Sequence, residues 1–229
     1  MTAIRTLFDL PPTTLPIVGS DLRFPVRRIY CVGRNYLEHV RELGNDEREP
    51  PFFFAKHHDM IVQNGADVRY PGLTKNYQHE LELVVAMKSG GENIRKEDAL
   101  SHVYGYAVGL DMTRRDLQTI SRKKEQPWEI GKSFDQSAPC SEITPAEKCG
   151  HLNKGKIWLS VNGTMRQQGD LAQMIWDVPE IIAHLSAQAG IAAGDLIYTG
   201  TPAGVAACEK GDILTGGVDG LPELKITIV

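Results

Sequence analysis

His79-Glu80-Leu81-Glu82-Leu83-Val84-Val85-Ala86-Met87 alternates with the period of a β-strand, whose successive side chains point to opposite faces. Leu81, Leu83 and Val85 then occupy one face. Glu80 and Glu82 share the other, followed there by Val84 and Ala86, so two carboxylates sit at one end of an otherwise apolar face. Like charges that close repel, and if the face is covered they need protons or a cation to be tolerated. A hard divalent ion, held by a few carboxylates with positions left open for water and substrate, meets that need. A strand whose acidic face is simply solvated is the other reading.

Downstream, Val103-Tyr104-Gly105-Tyr106-Ala107-Val108-Gly109-Leu110-Asp111 reads as a second strand. Its small residues Gly105, Ala107 and Gly109 share a face with Asp111, so another backbone or a ligand can approach a strand that ends in a carboxylate. Asp111 is a candidate third metal ligand. The alternative is a helix-entry acid, since Thr113-Arg114-Arg115-Asp116 resembles a capping box opening a helix toward Lys124. A short helix is predicted near residues 96–100.

Upstream, Arg28-Ile29-Tyr30-Cys31-Val32 reads as a strand broken by Gly33, and a helix is predicted over residues 35–43 with Asn35 as N-cap and Gly44 as its stop. On such a helix His39 and Glu42 face the same way, and a carboxylate beside an imidazole suits a general base for water. A solvated surface pair is the plainer alternative. The polar, turn-rich residues 44–51 that follow predict a mobile lid carrying that base. Residues 1–25, with Pro11-Pro12, Pro16 and Pro25, read as an extended arm over a single catalytic domain of residues 26–229. Residues 51–56 read as a short buried strand. Ile61-Val62 and Val68-Arg69-Tyr70 flank the turn signal Asn64-Gly65. His57 and His58 read as loop residues.

Toward the C-terminus, Gly131-Lys132-Ser133 invites a phosphate-loop reading that fails, because Gln126 stands where the motif needs glycine. Lys132 remains a lone cation after Trp128 and Ile130. Residues 157–161 and 164–167 around Asn162-Gly163 predict a hairpin. Asp177 and Glu180 form a capping box for a helix ending at Gly190, with Ile181, Ile182, Leu185 and Ala189 as its apolar stripe. Leu196-Ile197-Tyr198 predicts a strand entering a tight turn at Thr199-Gly200-Thr201-Pro202, where backbone amides and Thr201 could meet a carboxylate. Residues 224–229 predict a closing strand.

Composition narrows the function classes. Across 229 residues, 25 Lys and Arg against 29 Asp and Glu leave a net charge of −4 and no basic footprint for nucleic acid or an anionic membrane. Neither a signal-peptide pattern nor a run of about eighteen apolar residues is present, which predicts a cytoplasmic protein acting on a small molecule. The four cysteines, Cys31, Cys140, Cys149 and Cys208, lack metal or disulfide spacing and read as reduced, packed thiols.

Taken together, Val32-Gly33-Arg34-Asn35-Tyr36 with His39, the His79-Glu80-Leu81-Glu82 strand, Leu110-Asp111-Met112-Thr113 with Arg115-Asp116 and Gln118, Gly131-Lys132-Ser133-Phe134, and Thr199-Gly200-Thr201-Pro202 resemble the fumarylacetoacetate hydrolase family, in its order. The likeness is nearest to members that hydrolyse acylpyruvates, fumarylpyruvate among them. It implies a mostly β, α+β fold built on a rolled mixed β-sheet with few short helices, and a homodimer. It further implies that Glu80, Glu82 and Asp111 hold Mg²⁺ or Mn²⁺, that His39 and Glu42 are a water-activating dyad on a lid, and that Lys132, Gln118 and Thr201 contact substrate. Lys56-His57 departs from the Lys-Pro common in relatives.

The expected chemistry is carbon–carbon hydrolysis of a 2-oxo acid: water deprotonated by His39 attacks the distal carbonyl, and the cation stabilises the charge left on pyruvate. Fumarylpyruvate would give fumarate and pyruvate, its far carboxylate met by Arg34, Arg41 or Arg115. Decarboxylation of oxaloacetate, or a hydratase or isomerase reaction on a related 2-oxo acid, is the alternative enzyme reading. A non-catalytic metal-binding protein is the alternative from another class.

Overall fold

The computed structural model describes residues 6–36 and 49–229. The strand predicted over residues 79–87 forms over Leu81–Met87, and every one of those residues is buried. It pairs antiparallel with Val103–Leu110 on one side and with Leu196–Tyr198 on the other. These lie inside an eight-stranded sheet whose order is Phe52–Lys56, Ile29–Gly33, Leu196–Tyr198, Leu81–Met87, Val103–Leu110, Ala138–Cys140 and Ile61–Gln63, with Thr144–Pro145 as a further partner of Val103–Leu110. A five-stranded sheet runs Thr164–Asp170, Lys156–Val161, Ile213–Val218, Leu224–Ile228 and Asp67–Val68. Both sheets mix parallel and antiparallel pairs. The helices Arg115–Lys123, Glu129–Lys132, Ala146–Cys149 and Val178–Gln188 are short, so the chain is a mostly β, α+β fold of the rolled mixed-sheet type.

The strand's alternation divides two cores. Leu81, Leu83, Val85 and Met87 pack with residues of the smaller sheet and the Val178–Gln188 helix, among them Ile157, Leu159, Leu214, Ile226 and Ile182. Val84 and Ala86 join Leu15, Phe24, Ile29, Ile143 and Tyr198 in the second. The N-terminal ribbon of Thr14–Pro16 and Arg23–Pro25 closes that second core with Leu15, Ile17, Phe24 and Val26. Burying side chains of this size contributes about 1.5–3 kcal/mol each. Glycine admits the close neighbours: a Cβ on Gly109 would lie 2.5 Å from Val84 and 2.6 Å from the Tyr198 ring, and one on Gly105 only 2.2 Å from the Thr144 carbonyl.

Local chemistry explains most element ends. Asn162 and Gly163 have φ of 51° and 77°, as a two-residue type I′ hairpin requires. Asp177 Oδ1 accepts from Glu180 N at 2.9 Å while Glu180 Oε2 accepts from Asp177 N at 3.0 Å, closing the expected capping box.

Elsewhere tertiary context overrides the local reading. The Asn64-Gly65 turn forms, but its flanking strands join different sheets, each pairing parallel with a remote strand. Phe52, Phe53 and Phe54 are only half-buried on an edge strand, and the buried residue there is Lys56. Thr113 opens no helix; it pairs with Gln78, and the helix beginning at Arg115 has no side-chain cap. Asn35 is buried, its side chain donating to Trp176 O at 3.0 Å and Thr199 O at 2.8 Å and accepting from Trp176 N at 2.8 Å. The rest of the helix predicted over residues 35–43, and most of the expected lid, lie outside the described residues.

Candidate active site

Strand pairing assembles the acids. Glu82 lies within the central strand opposite Gly109, Glu80 immediately precedes that strand, and Asp111 immediately follows its neighbour. Asp111 N donates to Glu80 O at 2.8 Å, so the antiparallel pairing continues past the strand ends and brings the two side chains together. Glu80, Glu82 and Asp111 are 6%, 1% and 1% exposed, and each offers an oxygen within 4.8 Å of the others. The solvated-face reading is thereby excluded.

Buried cations surround the acids. Lys132, at the end of the helix Glu129–Lys132, directs Nζ to Glu80 Oε2 at 2.7 Å, Asp111 Oδ2 at 2.6 Å and Thr113 Oγ1 at 2.7 Å. Gly131 allows that position, because a Cβ there would stand 2.7–2.8 Å from Gln118 backbone and Cβ atoms. Lys56 Nζ pairs with Asp111 Oδ1 at 2.9 Å and donates to the Lys132 carbonyl. Arg115 donates to Gln78 Oε1 at 2.7 Å, to Gln118 Oε1 at 2.6 Å and to Glu80 Oε1.

The electrostatics single out Glu82. Burial first, then Asp111 and Glu80, push its pKa well above the ordinary carboxylate range, against the Gly200 N–H and Lys132, which pull it down. Lys132 behaves oppositely: burial disfavours its charge, but Asp111 and Glu80 outweigh that and raise its pKa. Without a metal the site therefore resists the ionisation of Glu82 and holds the Lys132 charge. Asp111 Oδ1, although ion-paired with Lys56, has no aligned hydrogen-bond donor. Three converging carboxylates, one destabilised as an anion and one with an undonated oxygen, fit a hard divalent cation such as Mg²⁺ or Mn²⁺.

This arrangement sets a pH dependence. A folded pKa raised above the unfolded value, about 4.3 for Glu, contributes stability that is fully present below the unfolded pKa and is lost as pH rises through the folded one. Metal-free protein should thus lose melting temperature as pH rises above the ordinary carboxylate range. The gain from added Mn²⁺ should grow over the same window, since the ion binds ionised ligands. Thermal melts in chelator and in Mn²⁺ across a pH series check this, and a Mn²⁺ shift independent of pH would mean Glu82 is already ionised in the metal-free fold.

Gly200 fixes the last part of the frame. Its N–H donates to Glu82 Oε2 at 2.7 Å from a backbone with φ of 96°, and an added Cβ would meet Asn35 Cβ at 2.7 Å. Gly200→Ala should cost about 1–3 kcal/mol and weaken Mn²⁺ binding, measured by denaturant unfolding and by metal titration. Wild-type values in both would discount the turn.

The acids floor a cavity of about 220 Å³, walled by Val32, Phe54 and Trp128, with Arg115, Gln118 and Lys132 beside the acids and Arg34, Arg122 and Lys123 also in its lining. Thr201 is in the wall, its hydroxyl donating to Leu81 O at 2.7 Å and accepting from Gln167 at 2.8 Å. Of the turn groups expected to meet a carboxylate, the Gly200 amide reaches Glu82, whereas the Thr201 hydroxyl is bonded to Leu81 O and Gln167. The expected residues Glu80, Glu82, Asp111, Lys132, Arg34, Arg115, Gln118 and Thr201 thus meet in one cavity; His39, Glu42 and Arg41 lie outside the described residues. Lys56 and Arg122 were missed. Arg122 carried a usable signal, because Arg115, Gln118, Thr119 and Arg122 fall on one helical face.

Comparison with known proteins identifies the family of the chain. The family profile for the fumarylacetoacetate (FAA) hydrolase C-terminal domain matches residues 28–229. A Ralstonia fumarylpyruvate hydrolase is 44% identical over 180 residues, covering 79% of this chain and 93% of its own. The mitochondrial oxaloacetate tautomerase FAHD1 of Bos taurus is 39% identical over 202 residues, covering 88% and 91%. The crystal structure of fumarylpyruvate hydrolase from Pseudomonas aeruginosa, in complex with Mn²⁺ and pyruvate, superposes with a TM-score of 0.96 at 50% identity, covering 98% of this chain and 99% of that one.

Proposed function

This chain belongs to the fumarylacetoacetate hydrolase family, and on that premise we propose that it is a metal-dependent hydrolase cleaving the carbon–carbon bond of acylpyruvates, with fumarylpyruvate giving fumarate and pyruvate. The observation that carries the reading is the buried Glu80, Glu82 and Asp111 cluster, joined to Lys132 in a cavity sized for a small organic acid. The fumarylpyruvate hydrolases at 44% and 50% identity support the choice of substrate.

Glu80, Glu82 and Asp111 would hold the Mg²⁺ or Mn²⁺, which would supply Lewis-acid stabilisation for charge developing on the pyruvate portion. Lys132 adds a fixed ammonium beside that charge without reorganising. Arg115, held by Gln78, Gln118 and Glu80, keeps Glu80 oriented. The roles of the general base that takes the proton of the attacking water, and of the carboxylate that raises its basicity, are assigned to His39 and Glu42 from the sequence. The water oxygen bonds to the distal carbonyl carbon as the carbonyl π pair moves onto its oxygen; that pair re-forms the C=O as the bond to the methylene breaks with its electrons moving into the pyruvate portion, and the proton taken from water passes to the methylene to complete the methyl group. Val32, Phe54 and Trp128 line this region with apolar surface. The enzyme works as a cytoplasmic homodimer in this reading, which sedimentation of the purified protein tests for the dimer.

A panel of acylpyruvates and oxaloacetate, assayed with Mg²⁺ and with chelator, tests the assignment. Chelator-insensitive turnover, or none on any acylpyruvate, would reject it. The resemblance to oxaloacetate tautomerase favours one second reading, enolisation or decarboxylation of oxaloacetate in the same cavity. Loss of CO₂ needs no attacking water, so His39→Ala separates the two: hydrolysis should collapse while decarboxylation persists.

A further inference from the structure

The cavity segregates its charge. At its buried floor the Lys132 and Arg115 cations are committed to Glu80, Asp111, Gln78 and Gln118. Toward the exposed rim, Arg34 and Arg122 line the same cavity, and among the described residues neither has a carboxylate partner. Arg34 lies over the Phe52 ring at 5.6 Å and holds a non-glycine φ of 61°, a backbone cost that persists at ligand-facing positions. The two guanidiniums are close enough that Arg122, after burial, is the next influence pulling the Arg34 pKa down, with Glu49 acting the other way. Like charges brought together against a partly apolar wall mark a place for an anion.

The helix supplies the ruler. Arg115, bonded to the metal-site acid Glu80, and Arg122 are seven residues apart on one face of Arg115–Lys123, which is about 10 Å at 1.5 Å per residue. An extended seven-carbon dicarboxylic chain spans about 7–8 Å between its end carbons, leaving the reach of one guanidinium. We infer that Arg122, with Arg34, binds a second carboxylate at the acyl end of the substrate and selects dicarboxylic acylpyruvates over those with a plain alkyl acyl group. Arg115, a sequence candidate for that role, is excluded by its three bonds at the floor.

The inference deepens the hydrolase reading, and its test separates the two. With Mn²⁺-loaded full-length enzyme, the ratio of kcat/KM for fumarylpyruvate over acetylpyruvate should fall about tenfold in Arg122→Gln and further in Arg122→Glu. Arg34→Gln should lower it in the same direction, chiefly through KM. Calorimetry with fumarate and with crotonate, its isosteric monoanion, asks the same question without turnover: wild type should bind fumarate more tightly, and Arg122→Glu should erase the preference. A ratio unchanged within twofold in both Arg122 variants, or fumarate bound no better than crotonate by wild type, would overturn the inference while acetylpyruvate hydrolysis left the reaction assignment standing. Should wild type hydrolyse neither acylpyruvate, the reaction assignment falls and the fumarate and crotonate affinities still decide the rim site.

Discussion

Glu82→Gln should lower kcat by about a hundredfold to a thousandfold, the scale of losing one fixed electrostatic contributor in a buried site, while leaving the metal-free fold intact or more stable. The amide keeps the shape of the carboxylate, and its oxygen can still accept the Gly200 N–H that meets Glu82 Oε2 at 2.7 Å. What disappears is the charge, which burial and the neighbouring Asp111 and Glu80 already oppose. Removing a buried anion of this kind relieves repulsion, so the melting temperature in chelator should hold or rise. The Mn²⁺-induced shift should shrink or vanish, and the pH dependence of metal-free stability should flatten. Near-wild-type turnover with an intact Mn²⁺ shift would remove Glu82 from the metal site.

Lys132→Met should be as damaging to catalysis and, unlike Glu82→Gln, should harm the fold. The ammonium is buried and bonded to Glu80, Asp111 and Thr113. Its loss leaves two carboxylates facing each other with less compensation, a deficit worth about 3–5 kcal/mol for a broken buried pair. A divalent ion replaces part of that charge, so Mg²⁺ or Mn²⁺ should restore much of the stability and bind at least as tightly as in wild type. Turnover should stay about a hundredfold or more below wild type even with saturating metal. Lys132→Arg should not rescue it, because a planar fork does not fit a site shaped for a compact ammonium. Unfolding curves with and without Mn²⁺, set beside kcat, decide the matter; recovery of turnover together with stability would reduce Lys132 to a structural counter-ion.

The acids were legible because strand periodicity alone puts Glu80 and Glu82 on one face, and the small residues Gly105, Ala107 and Gly109 announce that something packs closely beside Asp111. Their burial was not legible. It depends on Lys56, Lys132 and the Gly200 turn, which close over the acids from far away in sequence, and no window around residue 82 contains that information. Turn chemistry likewise located the bend at Asn64-Gly65 but said nothing of which strands its arms would join, since backbone hydrogen bonding is indifferent to the identity of the partner. Lys56 shows the same limit: the Phe52–Phe54 run suggested a buried apolar strand, whereas the edge position leaves the aromatics half-covered and sends the lysine inward to Asp111. Arg122 is the instructive omission, because its helical spacing from Arg115 was in plain view and only the cavity gave that spacing a purpose.

The strand Leu81–Met87 belongs to both cores at once, its odd-numbered side chains packed into one and Val84 and Ala86 into the other. A wall shared in this way couples the packing of either side to the other, because the same strand loses support when either core opens. The N-terminal ribbon, which contributes no chemistry, therefore has a hold on the reaction: withdrawing Leu15, Ile17, Phe24 and Val26 would open the second core and loosen the strand that carries Glu82. On this packing the alignment of the acids leans on a ribbon that carries none of the site residues.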